Sequence, residues 1–222
     1  MKKTKPTMET GSRFPKGKVL CAAVLLAAGL AAPGSASAGE SHWYAFGAVG
    51  TTAGGGNKAF LDDQLRAAGE RGFQSSLATP NIYKIGIGVQ LNDNLALEGG
   101  YLRSEMTNYT ATGGSVSGTI GGLNIFDGGF FDVTGILPLT HNFSLLGRLG
   151  TSEILHTAGL SGPGFSVYAS GVATDWTYGI GAQYRLTDAI AVRLDGDTYD
   201  VGGPYSAYTT IWTLGLTYGF HS

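Results

Sequence analysis

One cysteine occurs in 222 residues, Cys21, and it lies within the apolar run "VLCAAVLLAAGLAA". A basic stretch (Lys2, Lys3, Lys5, Arg13, Lys16, Lys18) precedes that run, and Ala36-Ser37-Ala38 follows it. This is the order of a secretory signal with an A-x-A site, so residues 1–38 are expected to be removed after Ala38. The run is 14 residues long, too short for a membrane anchor, which takes ~20. Cys21 sits near its start rather than after it, which excludes a lipid-anchoring cysteine. Residues 39–222 then have no thiol, which rules out a disulfide framework and any Cys-based metal site. They also lack any apolar run approaching a transmembrane helix. Charged residues are scarce (14%), and their balance is acidic. Beyond residue 38, eight Lys and Arg stand against fifteen Asp and Glu, a formal charge of −7 where the whole chain carries −2. No nucleic-acid partner is expected of such a chain, because phosphates demand a basic footprint. His42, His141, His156 and His221 are scattered without H-E-x-x-H or any other ligand spacing. "GTTAGGGNK" is no phosphate loop, since Lys58 is misplaced and no Ser or Thr follows it. No cofactor is implied.

What is present is alternation. From Trp212 to Phe220 one parity holds Trp212, Leu214, Leu216, Tyr218 and Phe220, while the other holds Thr213, Gly215, Thr217 and Gly219. "YKIGIGVQL" sets Tyr83, Ile85, Ile87, Val89 and Leu91 against Lys84, Gly86, Gly88 and Gln90. "WTYGIGAQY" and "IAVRLDGD" repeat the pattern. Period two is the strand period. Eight strands are expected, near 43–52, 81–91, 95–107, 122–137, 143–155, 172–186, 190–199 and 209–220. The faces of the first and fourth are not assigned, because parity blurs around "IFDGGFFDV".

The joins alternate in length. Short turns fall at 92–94, 138–142 and 187–189, and long Gly/Ser/Thr/Asn-rich joins at 53–80, 108–121, 156–171 and 200–208. Short turns on one side and long loops on the other characterise an eight-stranded antiparallel transmembrane β-barrel, with tilted strands of about 9–11 residues. Lipid takes the aliphatic and aromatic face, and a narrow interior takes glycine and threonine. A soluble barrel would reverse this, with its charges outside. Here the charges share the glycine face, so Lys84, Glu98, Arg148, Arg193 and Asp195 are expected in the lumen. "GIGVQLNDNLALEGG" also echoes "GIGAQYRLTDAIAVRLDG". Glu98 and Arg193 lie three residues into the third and seventh strands, which are opposite in an eight-stranded barrel, so a direct ion pair is expected.

The ordered set "HWYAFGAVG", "LALEGGY", "LLGRLG", "IAVRLD" and "WTLGLTYGF" resembles the transmembrane domain of the outer-membrane protein A family. The resemblance covers nearly all of residues 42–220. It implies an integral protein of the bacterial outer membrane, a monomer in contact with outer-membrane lipids, with an interior plugged by charge pairs. Residue by residue, Glu98 and Arg193 match the family's central pair, and Arg148 and Asp195 match other interior charges. A second acid of the family's gate falls on Gln183 and its lysine near Thr134, and both departures remove charge. The chain stops two residues past Phe220, so the peptidoglycan-binding domain that often follows such barrels is not expected.

Three roles compete. The first is a structural or surface-interacting body that displays loops to an unidentified surface ligand. The second is a narrow channel. The third is a lipid-modifying enzyme with a His/Ser/acid site, for which His221 and Ser222 are the available pair. No carboxylate follows them to orient the histidine, and the chain is read as no enzyme. Asp195, Asp197 and Asp200 could form an acidic rim or a weak Ca²⁺ site, or merely a solvated strand entering a loop; the last is preferred. In the first long join, "AFLDDQLRAAGERGF" has helical spacing, with Asp62 and Arg66 expected to pair at i,i+4. The expected place of this helix is the barrel mouth or the membrane edge.

Overall fold

A computed structural model describes residues 42–53, 58–115, 119–162, 165–201 and 208–220. The expected signal segment with Cys21, and the His221-Ser222 pair, lie outside them. In chain order the elements are β1 (His42–Ala53), α1 (Lys58–Ala67), β2 (Gln74–Leu77), β3 (Asn81–Asn92), β4 (Leu95–Ser104), β5 (Thr107–Thr112) and β6 (Thr119–Pro138). They continue as β7 (Phe143–Gly162), β8 (Phe165–Arg185), β9 (Ile190–Asp200) and β10 (Tyr208–Phe220). Eight antiparallel strands close a ring in the order β1-β3-β4-β6-β7-β8-β9-β10, and β1 pairs with both β3 and β10. Closure leaves no backbone edge in hydrocarbon, which is what makes such a crossing possible without helices.

The alternation decides the faces. Trp212, Leu214, Leu216, Tyr218 and Phe220 are exposed to the outside, while Thr213 and Thr217 are buried in the lumen. Trp43, Tyr184, Tyr218 and Phe220 form an aromatic girdle near the short turns, and Tyr83, Tyr101, Trp176 and Tyr208 form another near the long joins. At that second girdle the Tyr83 hydroxyl donates to Glu105 and that of Tyr208 to Asp175, both at 2.6 Å, and Tyr101 donates to Asp127. The first and fourth crossings, unassigned from sequence, place Tyr44 and Phe46 and then Phe126, Phe130 and Asp132 towards the lumen. Parity blurs there because aromatics sit on both walls, with Phe131 outside and Phe130 inside.

Two of the long joins are not loops throughout. β7 and β8 pair from Phe143↔Tyr184 up to Gly162↔Phe165, so most of the expected join 156–171 is strand. Likewise β5 pairs with β6 and with the short β2, where the join 108–121 was expected. Above the bilayer the outer face need not be apolar, so these extensions lose the lipid-facing signal while keeping the ladder. Helix α1 packs Leu61 and Leu65 against Tyr109, Ala111, Ile120, Ala158 and Leu160. Ile120, Ala158 and Leu160 have the parity of the lumen wall, so the helix sits inside the mouth. Arg66 pairs with Asp63 at 2.7 Å, not with Asp62. Asp62 shares the buried face with Leu61 and Leu65 and turns inward, whereas Asp63 and Arg66 are exposed.

Candidate functional site

Six charged side chains from four strands form one continuous chain across the lumen. Arg193 on β9 donates through both terminal nitrogens to Glu98 on β4, at 2.5 and 2.7 Å. Its Nε lies 3.0 and 2.8 Å from the two oxygens of Asp195. Arg148 on β7 pairs with Asp195 and donates to both oxygens of Asp197 at 2.6 and 2.8 Å. Lys84 on β3 ends the chain, 2.7 Å from Asp197. All six are nearly devoid of solvent exposure. Burying such charges is tolerated only when each is paired and hydrogen-bonded, and the two-pronged geometry of arginine suits it to bridge two carboxylates.

The wall explains why glycine is the companion of charge. A methyl group added at Gly179 would collide with the Asp197 carboxylate, and one at Gly181 with Asp195 and Arg148. Similarly, Tyr44 lies across Gly88 and Phe46 across Gly86. Long interior side chains therefore lie flat against the wall where the wall has no side chain of its own. The Tyr44 hydroxyl donates to Glu98 at 2.6 Å. The Lys84 ammonium sits 4.6 Å from the ring centre of Phe130 and about 6 Å from those of Phe46 and Tyr199, a geometry in which ring faces help hold a desolvated cation.

Towards the mouth the lumen turns apolar. Phe46, Ile82, Leu102, Phe126, Phe130, Ile154, Tyr199, Val201 and Ile211 pack into one buried cluster. Above it lies the α1 layer with its own polar centre. Asp62 accepts from Lys58 at 2.8 Å, from Ser75 at 2.6 Å and from Tyr109 at 2.5 Å. These hydrogen bonds outweigh the opposing effect of burial and hold the Asp62 carboxyl below its ordinary range, while burial and the carboxylate push the Tyr109 phenol up.

All five residues expected in the lumen (Lys84, Glu98, Arg148, Arg193 and Asp195) point inward and belong to this one network. The preferred reading of Asp195 and Asp197 as a solvated strand is corrected, because Arg148 and Lys84 hold both inside. Thr134, where the resemblance lacks its lysine, is buried on the same wall. Sequence reasoning missed Tyr44 and Asp132, which lie on the two strands whose faces were unassigned, and gave Asp197 the wrong surroundings. It also missed His156, buried on β7 and hydrogen-bonded to Asn124. The parity of Phe126, Phe130 and Asp132, read alone, could have found the fourth strand's inner face.

The profile of the outer membrane protein beta-barrel domain family matches residues 22–220. The chain belongs to this family. Its place is the outer membrane, and its fold is that of the family's barrels. Comparison with curated proteins finds no match. Among solved structures, the chain is similar to the outer membrane protein OprG from Pseudomonas aeruginosa, at 14% identity and a TM-score of 0.51, covering 82% of this chain and 97% of that one. It is also similar to Ail, the attachment invasion locus protein of Yersinia pestis (18% identity, TM-score 0.48, 82% of this chain and 99% of that one). A third similarity is to the outer membrane protease OmpT from Escherichia coli (20% identity, TM-score 0.43, 66% of this chain and 65% of that one). At these identities the likeness to OprG speaks for the fold alone, and the other two carry no functional weight.

Proposed function

We propose that this outer-membrane barrel is a non-enzymatic, monomeric body with a charge-plugged lumen, which presents its capped mouth and loops to a surface ligand. The observation that carries the reading is the unbroken run Glu98–Arg193–Asp195–Arg148–Asp197–Lys84 beneath an apolar layer. Two consecutive seals of opposite character oppose a water-filled path, which a channel needs. The same pairing opposes hydrolysis at Asp195 or Asp197, since a carboxylate held by guanidinium and ammonium groups is a poor base for activating water. The aliphatic outer wall with its two girdles has the composition that outer-membrane lipids require.

Planar bilayers containing the purified barrel should stay electrically silent. Steady single-channel steps from the unmodified protein would favour the channel reading instead. Lipid A from cells with and without the protein should have the same mass spectrum; a new acylation state would reinstate the enzyme. On the same reading residues 1–38 are an export signal, and N-terminal sequencing of protein from outer membranes should begin at Gly39.

A further inference from the structure

The lumen charges do not balance. Among the described residues the network and its surroundings hold four buried carboxylates, Glu98, Asp132, Asp195 and Asp197, against three cations, Lys84, Arg148 and Arg193. Each cation is committed: Arg193 to Glu98 and Asp195, Arg148 to Asp195 and Asp197, and Lys84 to Asp197. Asp132, only 2% exposed, receives instead a neutral hydroxyl, the 2.6 Å hydrogen bond from Thr177. It reaches that group across Gly150, the residue paired with it on β7. On its other side its cross-strand partner is Glu98, on the same face. Two ionised carboxylates directly opposite each other repel, and a buried one without a cation is poorly tolerated.

We propose that Asp132 is a proton-binding site, carried in the folded barrel as a neutral carboxylic acid. A proton cancels the surplus charge and removes the repulsion with Glu98 in one step. The surroundings suit an acid that both donates and accepts. Among the described residues, the buried hydroxyls of Thr134, two residues along the same wall, and of Tyr199 on β9 have no hydrogen-bond partner. The titratable and charged groups buried or half-buried in the lumen with Asp132 include Tyr44 on β1, Lys84 on β3, Glu98 on β4, Arg148 on β7, and Arg193, Asp195, Asp197 and Tyr199 on β9. On β8, Asp175 is turned to the rim, where Tyr208 donates to it, and β10 presents Thr213 and Gly215. Loss of the proton would give Lys84 a second carboxylate to choose from, so the pairing pattern of the lumen depends on it.

The proposal rests on the plugged-lumen reading, but its test is separate, because conductance reads the plug and infrared spectroscopy reads the proton. At neutral pH the barrel in lipid should show a protonated-carboxyl stretch that shifts in heavy water. Asp132→Asn should abolish it. Thr177→Val, which removes the hydrogen-bond donor, should move its frequency and keeps the test readable if the first variant does not fold. Unfolding frees the carboxyl to ionise and so releases a proton, which rising pH favours. The wild-type urea midpoint in bilayers should therefore fall from mildly acid to alkaline pH, and Asp132→Asn should lose that slope. Exchanging sodium for choline should leave both proteins unchanged. Absence of the band, its survival in Asp132→Asn, or a midpoint set by sodium at fixed pH (an alkali ion in place of the proton) would each overturn the proposal.

Discussion

Two buried aspartates on opposite sides of the apolar layer accept the same number of hydrogen bonds but not from the same kinds of group. Asp197, in the lumen, is held by a lysine and by an arginine whose Nη1 reaches both of its oxygens. Asp62, at the mouth, is held by one lysine and two neutral hydroxyls. Lys84 is 2% exposed, whereas the Lys58 side chain is 36% exposed. Depth accounts for the difference. In the lumen a carboxylate has lost its water and needs full charges in return. Near the surface, water still screens the pair and hydroxyls complete the set. The lumen network should therefore be brittle and the mouth network tolerant.

The largest effect should come from breaking the lumen chain at its bidentate link. Arg193→Gln leaves Glu98 charged and buried with only Tyr44 donating to it, and should destabilise the barrel by ~3–5 kcal/mol. Glu98→Gln strands Arg193 less severely, since Asp195 remains. Urea unfolding in bilayers of both singles, the double variant and the exchanged pair should show strong coupling, with the exchange recovering much of the loss. Additive single effects would mean that the lumen is as tolerant as the mouth.

A second test presses on the wall instead of the charge. Gly181→Val should cost ~1–3 kcal/mol by overpacking, as its side chain displaces Asp195 and Arg148. Gly147, one strand away, has nothing within 4 Å of an added Cβ, so Gly147→Ala should be close to neutral. Equal losses at both positions, measured by the same unfolding, would remove the idea that wall glycines exist to seat interior charges.

The eight crossings were legible because lipid on one side and a narrow lumen on the other impose two chemically distinct faces with period two. Glu98 and Arg193 were legible as a pair because equal offsets in echoed strands put them at one height. Legibility ended where that contrast ended. On β6, Phe130 faces Lys84 inside while Phe131 faces lipid, so hydrophobicity no longer distinguishes the walls. In the upper halves of β7 and β8 the outside is water, and Ser, Gly and Thr there read as loop although they form a ladder. At Asp62 the spacing allowed two partners. Which lysine or arginine it met was decided by tertiary burial of the Leu61–Leu65 face, not by helix geometry.

Smaller effects are expected at the mouth. Tyr109→Phe removes one hydrogen bond to a carboxylate that keeps two others, and should loosen α1 by about 1–2 kcal/mol without moving the global midpoint. Amide hydrogen exchange in α1 and β5 is the measurement, and slowed or unchanged exchange there would contradict it. The pH dependence has a definite sign. The Asp62 carboxyl is held below its ordinary range, so the folded state binds its proton less readily than the unfolded chain does. The contribution of Asp62 is complete above the normal carboxylate range and is lost as pH falls through its lowered folded value. Protection of the α1 amides, meaning exchange relative to the intrinsic rate at each pH, should therefore fall on acidification, and less so in Asp62→Asn.

The smallest expected effect is at the neighbouring residue. Asp63 and Arg66 form an exposed i,i+3 pair at 2.7 Å, the kind of contact worth about 0.2–1 kcal/mol at most and weakened further by salt. Asp63→Ala should therefore leave exchange in α1 almost unchanged, and raising the salt concentration should erase what difference there is. Asp62→Ala, one residue earlier, removes the acceptor for Lys58, Ser75 and Tyr109 at once and leaves a buried phenol hydroxyl unpaired. Its effect on α1 should be several-fold larger and should survive high salt. The i,i+4 pairing of Asp62 with Arg66 makes a different forecast, since it renders Asp63 irrelevant, makes Arg66→Ala nearly as damaging as Asp62→Ala, and lets salt weaken both. Measuring exchange in α1 for these three variants at low and high salt separates the two arrangements. Equal, salt-sensitive losses for Asp62→Ala and Arg66→Ala would show that the helix is held from its exposed face and that the mouth has no buried polar centre.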